Sequence, residues 1–110
     1  MSRTVSKVLP LTLVAVGLAG PALADAIDGE WCSDDGRHLS IQGLTIVTPG
    51  GKRMEGAYTR HSFEYTVPSP EPDAGRQTTM RLLGETRMQV RVGAPESAPM
   101  VWRRCPGTIS

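Results

Sequence analysis

The chain has few or none of several residue types, and each shortage excludes something. Its 110 residues include no asparagine, only two cysteines and only five aromatic side chains. Without asparagine there are no Asn-Gly turns, so hairpins must turn on glycine, proline or aspartate. Twelve basic and eleven acidic residues give a net charge of +1, which argues against a nucleic-acid-binding protein, because such proteins concentrate basic charge. A chain of this length forms at most one domain.

The N-terminal segment has the pattern of a secretory signal peptide. Arg3 and Lys7 supply its positive start, residues 8–19 form its apolar core, and the sequence Ala-Leu-Ala then provides an A-x-A cleavage site. The apolar run is shorter than the ~20 residues that span a bilayer, so we expect no stable membrane insertion after cleavage. The pattern predicts a signal peptide over residues 1–24, a mature domain over residues 25–110, and a periplasmic or secreted location.

The mature segment contains both cysteines. An even cysteine count in an exported chain predicts a disulfide, here between Cys32 and Cys105. A domain of this size buries a thin core, and closing so long a loop would stabilise it by roughly 4 kcal/mol. The alternative is a metal site that uses these cysteines with His38 and His61, but the spacings match no compact zinc pattern. We therefore predict no cofactor.

After residue 25 the apolar residues alternate in short runs separated by glycine, proline and aspartate, which is typical of β-strands. Two three-residue loops, at 49–51 and 84–86, set the register of two hairpins by placing apolar residues opposite one another. The predicted pairs are Ile46 with Met54, Met80 with Val90, and Leu82 with Met88. The pattern predicts an all-β fold, a small antiparallel barrel or sandwich of six to eight strands closed by the disulfide.

One segment has two interpretations. The alternation of apolar residues changes parity between Tyr58 and Phe63, which requires a turn or a bulge. Residues 59–62 form either a hairpin loop that pairs these two aromatics or a bulge within one long strand.

No residue pattern typical of an enzyme is present. The two histidines of the mature segment lie in no Ser/His/Asp-like signature, and the carboxylates are scattered, so we predict that the protein is not an enzyme. Arginines are the better candidates for binding. The predicted register places Arg81, Arg87 and Arg91 on the outer face of one hairpin, and arginine suits contact with carboxylates or phosphates.

The alternative for this arginine stripe is a solvated face with intramolecular pairs to Glu64 or Glu85. Arg60 and His61, at the change of parity, complete the candidate binding residues.

Two tryptophans lie close to the cysteines in sequence. Strand parity turns Trp31 away from the face of Cys32, and Trp102 away from the face of Cys105. Both tryptophans can therefore anchor one core, while the disulfide lies on the other side of the sheet.

Two sets of residues resemble known families. Gly29-Glu30-Trp31 in the first strand, together with Trp102-Arg103-Arg104 in the last, resembles the G-x-W motif and late arginine of the calycin barrels. Calycins include lipocalins, avidins and small bacterial metalloprotease inhibitors. The resemblance implies that Trp31 closes one end of a barrel and that Arg103 or Arg104 packs across it. The strings T-P-G-G and R-H-S-F-E-Y-T-V-P are similar to a set of small exported alphaproteobacterial proteins, and this similarity carries no function.

These observations predict a non-catalytic periplasmic or secreted β module that binds another protein of the cell envelope, with an inhibitor-like role as one form of it. The alternative is a small-ligand or metal-binding β-barrel of the envelope. A ligand binder needs a cavity, whereas a protein-binding module needs an exposed patch, such as the arginine stripe or the proline-rich loop at 68–75. We expect the protein to be a monomer and to bind no nucleic acid.

Overall fold

A computed structural model describes residues 26–106 of the chain. These residues form nine β-strands and no helix, so none of their segments is a helix that could cross a membrane. The strands are β1 (Gly29–Cys32), β2 (His38–Gln42), β3 (Thr45–Val47), β4 (Arg53–Glu55), β5 (Ala57–Thr59), β6 (Ser62–Thr66), β7 (Gln77–Leu82), β8 (Arg87–Val92) and β9 (Met100–Arg104). The predicted signal peptide, and residues 25 and 107–110 of the predicted domain, lie outside the described residues.

The strands form one antiparallel sheet that curls into a nearly closed barrel. Their order is β4-β3-β2-β1-β9-β8-β7-β6-β5, so each strand pairs with its sequence neighbour except at the β1–β9 seam. Strands β4 and β5 end this order, and only Gly56 separates them along the chain. The all-β class and the barrel are confirmed. The count exceeds the predicted six to eight because the chain is divided at Gly56 into two short strands, β4 and β5.

The division at Gly56 has a steric cause. A Cβ atom at this position would collide with the carbonyl oxygen of Glu64 and the ring of Phe63. The Gly56 amide donates a hydrogen bond to the Leu44 carbonyl oxygen at 2.9 Å, which ends the β3–β4 ladder. From there the chain changes partner, because β4 pairs with β3 and β5 pairs with β6. This single bent stretch of chain brings the two edges of the sheet together.

The predicted hairpin registers are confirmed. At the first loop, the Thr48 amide donates to the Lys52 carbonyl oxygen at 2.8 Å, and Gly51 adopts a φ of 93°. At the second, the Leu83 amide donates to the Arg87 carbonyl oxygen at 2.9 Å, which leaves residues 84–86 as the loop. The observed pairs include Ile46 with Met54, Met80 with Val90, and Leu82 with Met88.

The segment with two interpretations is a hairpin. Tyr58 pairs with Phe63 as predicted, and their rings meet edge to face with centroids 6.5 Å apart. Thr59 also pairs with Ser62, so the turn contains only Arg60 and His61 rather than four residues. The bulge alternative does not occur.

The inner face of the barrel holds the core. Trp31 is fully buried and Trp102 is 2% exposed. The buried apolar side chains around them are Ile27, Leu39, Ile41, Ile46, Phe63, Tyr65, Val67, Met80, Met88 and Val90. The predicted Cys32–Cys105 disulfide is present, with the two Cα atoms 5.0 Å apart. It lies at the seam, where β1 and β9 pair through only two residues each.

Candidate functional site

One end of the barrel is closed by an arginine. Arg104, the last residue of β9, places its guanidinium carbon 4.4 Å from the ring centroid of Trp31. Its nitrogen atoms donate to three backbone carbonyl oxygens, those of Ala26 at 2.7 Å, Asp28 at 2.7 Å and Glu85 at 2.6 Å. Burial lowers the pKa of Arg104, while the nearby carboxylates of Asp28 and Glu85 act in the opposite direction. A half-buried guanidinium thus links the chain before β1 to the β7–β8 turn.

The closed end brings together the residues that carry the calycin resemblance. Gly29 adopts a φ of 129°, and a Cβ there would lie 2.6 Å from Arg104 Nη1, so glycine makes room for the guanidinium. Of the two arginines that the resemblance suggested, Arg104 packs across Trp31, whereas Arg103 is exposed on the outer face.

The other end of the barrel is open and forms a pocket of about 270 Å³. It lies where β2 and β7 begin and where β6 and β8 end. Its walls are mostly apolar and come from the inner faces of these strands and of β9. The apolar lining residues are Leu39, Tyr65, Val67, Val90, Val92 and Trp102. Ligand pockets share this concave, largely apolar character, and this one is near the lower limit of the common range of about 300–1,000 Å³.

The rim of the pocket is polar and is formed in part by the proline-rich loop at 68–75. Glu71 of this loop accepts a hydrogen bond from the Thr48 hydroxyl at 2.5 Å, which ties the loop to the β3–β4 turn. Arg37 also lines the pocket, and its guanidinium carbon lies 5.2 Å from the ring centroid of Trp102. Arg37 Nε also donates to Asp35 at 3.0 Å, and this contact holds the pKa of Asp35 at about 2.

One polar group at the pocket, the indole nitrogen of Trp102, is buried without a hydrogen-bond partner among the described residues. The other tryptophan differs, because Trp31 Nε1 donates to the Ile27 carbonyl oxygen at 2.8 Å. A buried donor without a partner costs about 1–3 kcal/mol, so the Trp102 indole lowers the stability of the fold where the Trp31 indole does not.

The pocket also contains a titratable side chain. Tyr65 is 6% exposed, and burial raises the pKa of its phenol, with the negative charge of Glu71 adding to the effect. The phenol is therefore neutral at physiological pH and can serve as a hydrogen-bond donor or acceptor at the pocket wall.

The predicted arginine stripe lies on the outer face. Arg81 and Arg87 are exposed on β7 and β8, and Arg87 pairs directly with Arg103 of β9. Arg91 is half-buried, and its Nη1 atom donates to the backbone carbonyl oxygens of Pro95 and Ser97. The structure therefore brings Arg81, Arg87 and Arg103 to one surface, while Arg91 holds the loop before β9.

Arg60 and His61 form the exposed β5–β6 turn. The Arg60 carbonyl oxygen accepts a hydrogen bond from the Ile27 amide at 2.7 Å, which anchors the chain that enters β1. The His61 carbonyl oxygen accepts from the Leu82 amide at 2.8 Å, and the His61 and Arg81 side chains border the same shallow surface depression.

The metal-site alternative has no support from the placement of its residues. Cys32 and Cys105 are joined in the disulfide, and His38 Nε2 lies 2.7 Å from a carboxylate oxygen of Glu30. Within residues 26–106, no group of three or more His, Cys, Asp or Glu side chains could together hold a metal ion.

Sequence reasoning allowed a ligand-binding barrel mouth but missed the residues that line it. Its walls come from five strands and three loops, and nothing local in the sequence indicates that Arg37, Tyr65 and Glu71 line one pocket. The one available signal was Thr78, a polar residue that the predicted register placed on the inner face opposite Val92, where the structure also has it.

Comparisons of the chain with protein-family models, with curated proteins and with solved structures found no match. The molecule is therefore classed by its own architecture, as a small disulfide-linked antiparallel β-barrel with one closed end and one open end. The calycin and alphaproteobacterial resemblances stay predictions.

Proposed function

We propose that the protein is a non-catalytic binding protein that holds a small, largely apolar molecule in the open end of its barrel. The observation that carries this proposal is the largely apolar pocket of about 270 Å³ at the open end of the barrel. Sequence reasoning ranked this function second, after binding of another protein. The pocket changes that order because it is the kind of cavity that a small-molecule ligand needs.

The pocket selects for two properties in its ligand. Its volume accepts a compact molecule, and its apolar walls favour a hydrocarbon body. The rim carries charges of both signs, because Arg37 lines it together with Glu71 and Asp73, so it does not select a ligand charge of one sign. The proposed ligand class is therefore a compact molecule with a hydrocarbon body and one polar end group.

Octanoate is a suitable probe for this site. We expect isothermal titration to detect its binding to the wild-type protein. Val92→Phe would place a larger side chain in the pocket and should abolish octanoate binding. Val47→Phe is the matched control, because Val47 is half-buried on a strand that does not line this pocket.

Two results would contradict the proposal. One is that octanoate fails to bind while native mass spectrometry of the protein from its own source shows no retained small molecule. The other is that octanoate binds equally well to wild type and to Val92→Phe, since the pocket would then not be the site.

The location of the protein belongs to the same proposal. The signal-peptide pattern of residues 1–24 and the Cys32–Cys105 disulfide both support function in the periplasm or outside the cell. We propose a monomer with an N-terminus at Asp25, and native mass spectrometry of the exported protein would test both the oligomeric state and the cleavage point.

Binding of another protein remains the second candidate function. The observation that favours it is the group of exposed arginines on the outer face, which is separate from the pocket.

A further inference from the structure

The outer surface of β7, β8 and β9 carries three exposed arginines, Arg81, Arg87 and Arg103, which together form the arginine face. Arg87 and Arg103 are direct cross-strand partners in the β8–β9 ladder. Arg81 pairs with Gln89, two residues from Arg87, and is therefore a diagonal neighbour of Arg87. Side chains in these relations lie about 5–8 Å apart at their bases, so the guanidinium groups can act together.

This arrangement lowers the stability of the fold. Like charges directly opposite one another in a sheet are destabilising. Within residues 26–106, none of the three guanidinium groups forms an ion pair with a carboxylate within 4.0 Å. Glu64, one of the intramolecular partners considered for the stripe, instead accepts a hydrogen bond from Gln77 at 3.2 Å. For these three arginines, the structure therefore does not show the alternative of intramolecular ion pairs.

The positive charge of the arginine face is not explained by an excess of basic residues. Residues 26–106 contain ten basic and ten acidic side chains. Because residues 26–106 balance in charge, three arginines without an ion-pair partner on one sheet surface create a local positive potential, which favours a partner of opposite charge.

Apolar side chains are interspersed with the arginines. Leu83 is 43% exposed and Val101 is 40% exposed, and both point outward with Arg81 and Arg103 by strand parity. A phosphate-rich surface would gain nothing from these two residues, whereas a protein segment could place apolar side chains on them.

The barrel also determines how a partner can dock. The edge strands β4 and β5 belong to one bent stretch of chain, so neither offers a long free edge for strand addition. A partner must therefore be recognised through side chains on the sheet surface. From these observations we propose that the arginine face docks an acidic, partly apolar segment of another protein, with guanidinium–carboxylate contacts around a small apolar centre.

A fluorescent synthetic peptide of alternating glutamate and leucine can test this surface by anisotropy titration. We expect the wild-type protein to bind it with an affinity that falls as salt rises, and Arg87→Glu/Arg103→Glu to weaken binding about tenfold or more. The matched control is Lys52→Glu/Arg53→Glu, which makes the same change of charge at exposed residues on the far side of the barrel. It should change the affinity by less than about twofold.

Three results would overturn the proposal. The first is that the wild-type protein does not bind the peptide. The second is equal weakening by both double variants, which would indicate attraction by overall charge alone. The third is binding of inorganic polyphosphate or of anionic phosphatidylglycerol vesicles as tightly as the peptide, which would indicate a general anion surface.

A stability measurement separates this role from a structural one. Because Arg87 opposes Arg103, Arg103→Gln should leave the urea midpoint unchanged or raise it. A clear fall in the midpoint would mean that the arginines support the fold, and the proposal would then lose its main argument. None of these variants touches the pocket, so octanoate binding should persist in all of them and the two proposals can fail separately.

Discussion

At the scale of single residues, two neighbours in β9 have opposite environments. Arg104 covers Trp31 and donates to three carbonyl oxygens, while Arg103 is exposed and faces Arg87. The resemblance to calycins implied that one of these two arginines packs across Trp31 but did not indicate which one. Strand parity separates them, because Arg104 lies two residues after the buried Trp102 and so faces the inside. Strand parity can be read from the sequence, so the sequence alone was enough to assign the inward position to Arg104.

This difference gives a prediction about the closed end. Arg104→Lys keeps the charge but replaces a planar fork with a single ammonium group, which cannot reach all three carbonyl oxygens. We expect the free energy of unfolding, measured by urea denaturation, to fall by about 2–3 kcal/mol. The matched change Arg103→Lys should shift it by less than about 0.5 kcal/mol, because Arg103 is exposed. Equal effects of the two changes would contradict the closing role of Arg104.

At the scale of the elements, a hairpin could be predicted where its turn residues and its facing apolar residues favoured the same register. The loop at 49–51 contains two glycines, and only one loop length places Ile46 opposite Met54. The β7–β8 register followed in the same way from its apolar pairs. The break at Gly56 was not predictable, because its cause is the backbone of Glu64 and the ring of Phe63, which reach Gly56 only once the sheet has formed.

The same contact predicts how Gly56 responds to substitution. In Gly56→Ala the new methyl group meets the Glu64 carbonyl oxygen, and backbone cannot move aside cheaply. We expect a loss of about 2–3 kcal/mol in unfolding free energy, as for an overpacked core. Gly50→Ala is the control, since neither glycine has a positive φ and the obstacle at Gly50 is the flexible end of Glu71.

Thermal and urea unfolding of both variants would test this contrast. Gly50→Ala should cost no more than about 1 kcal/mol, which corresponds to the loss of one hydrogen bond between Thr48 and Glu71. If Gly50→Ala proves the more damaging change, the bend at Gly56 does not depend on the absence of a side chain.

At the scale of the whole molecule, the local sequence pattern predicted the barrel but not the residues that line its open end. An alternating pattern records which residues face inward, and these residues formed the predicted core. A pocket depends instead on the space that inward side chains leave where strands end, and on a loop such as 68–75 folding across the rim. Its rim residues Arg37 and Glu71 are far apart in the sequence, so no spacing or motif connects them.

The disulfide contributes most to stability at the seam between β1 and β9. This seam joins parts of the chain 73 residues apart, yet only two residue pairs form its ladder, against five pairs between β7 and β8. Closing so long a loop is entropically costly, and the ladder offers little to offset it. The Cys32–Cys105 bond removes that cost from the folding equilibrium and so contributes about 4 kcal/mol.

Reduction should therefore open the barrel at the seam before it disturbs the hairpins. We expect Cys32→Ser/Cys105→Ser to lower the free energy of unfolding by about 4 kcal/mol, a large part of the 5–15 kcal/mol typical of a domain. Hydrogen exchange should show early loss of protection at the residue 105 amide, which donates to Glu30 across the seam, while the Arg81 and Gln89 amides of the β7–β8 hairpin stay protected. If protection is instead lost uniformly, the barrel opens as one cooperative unit, and the seam is not its weakest point.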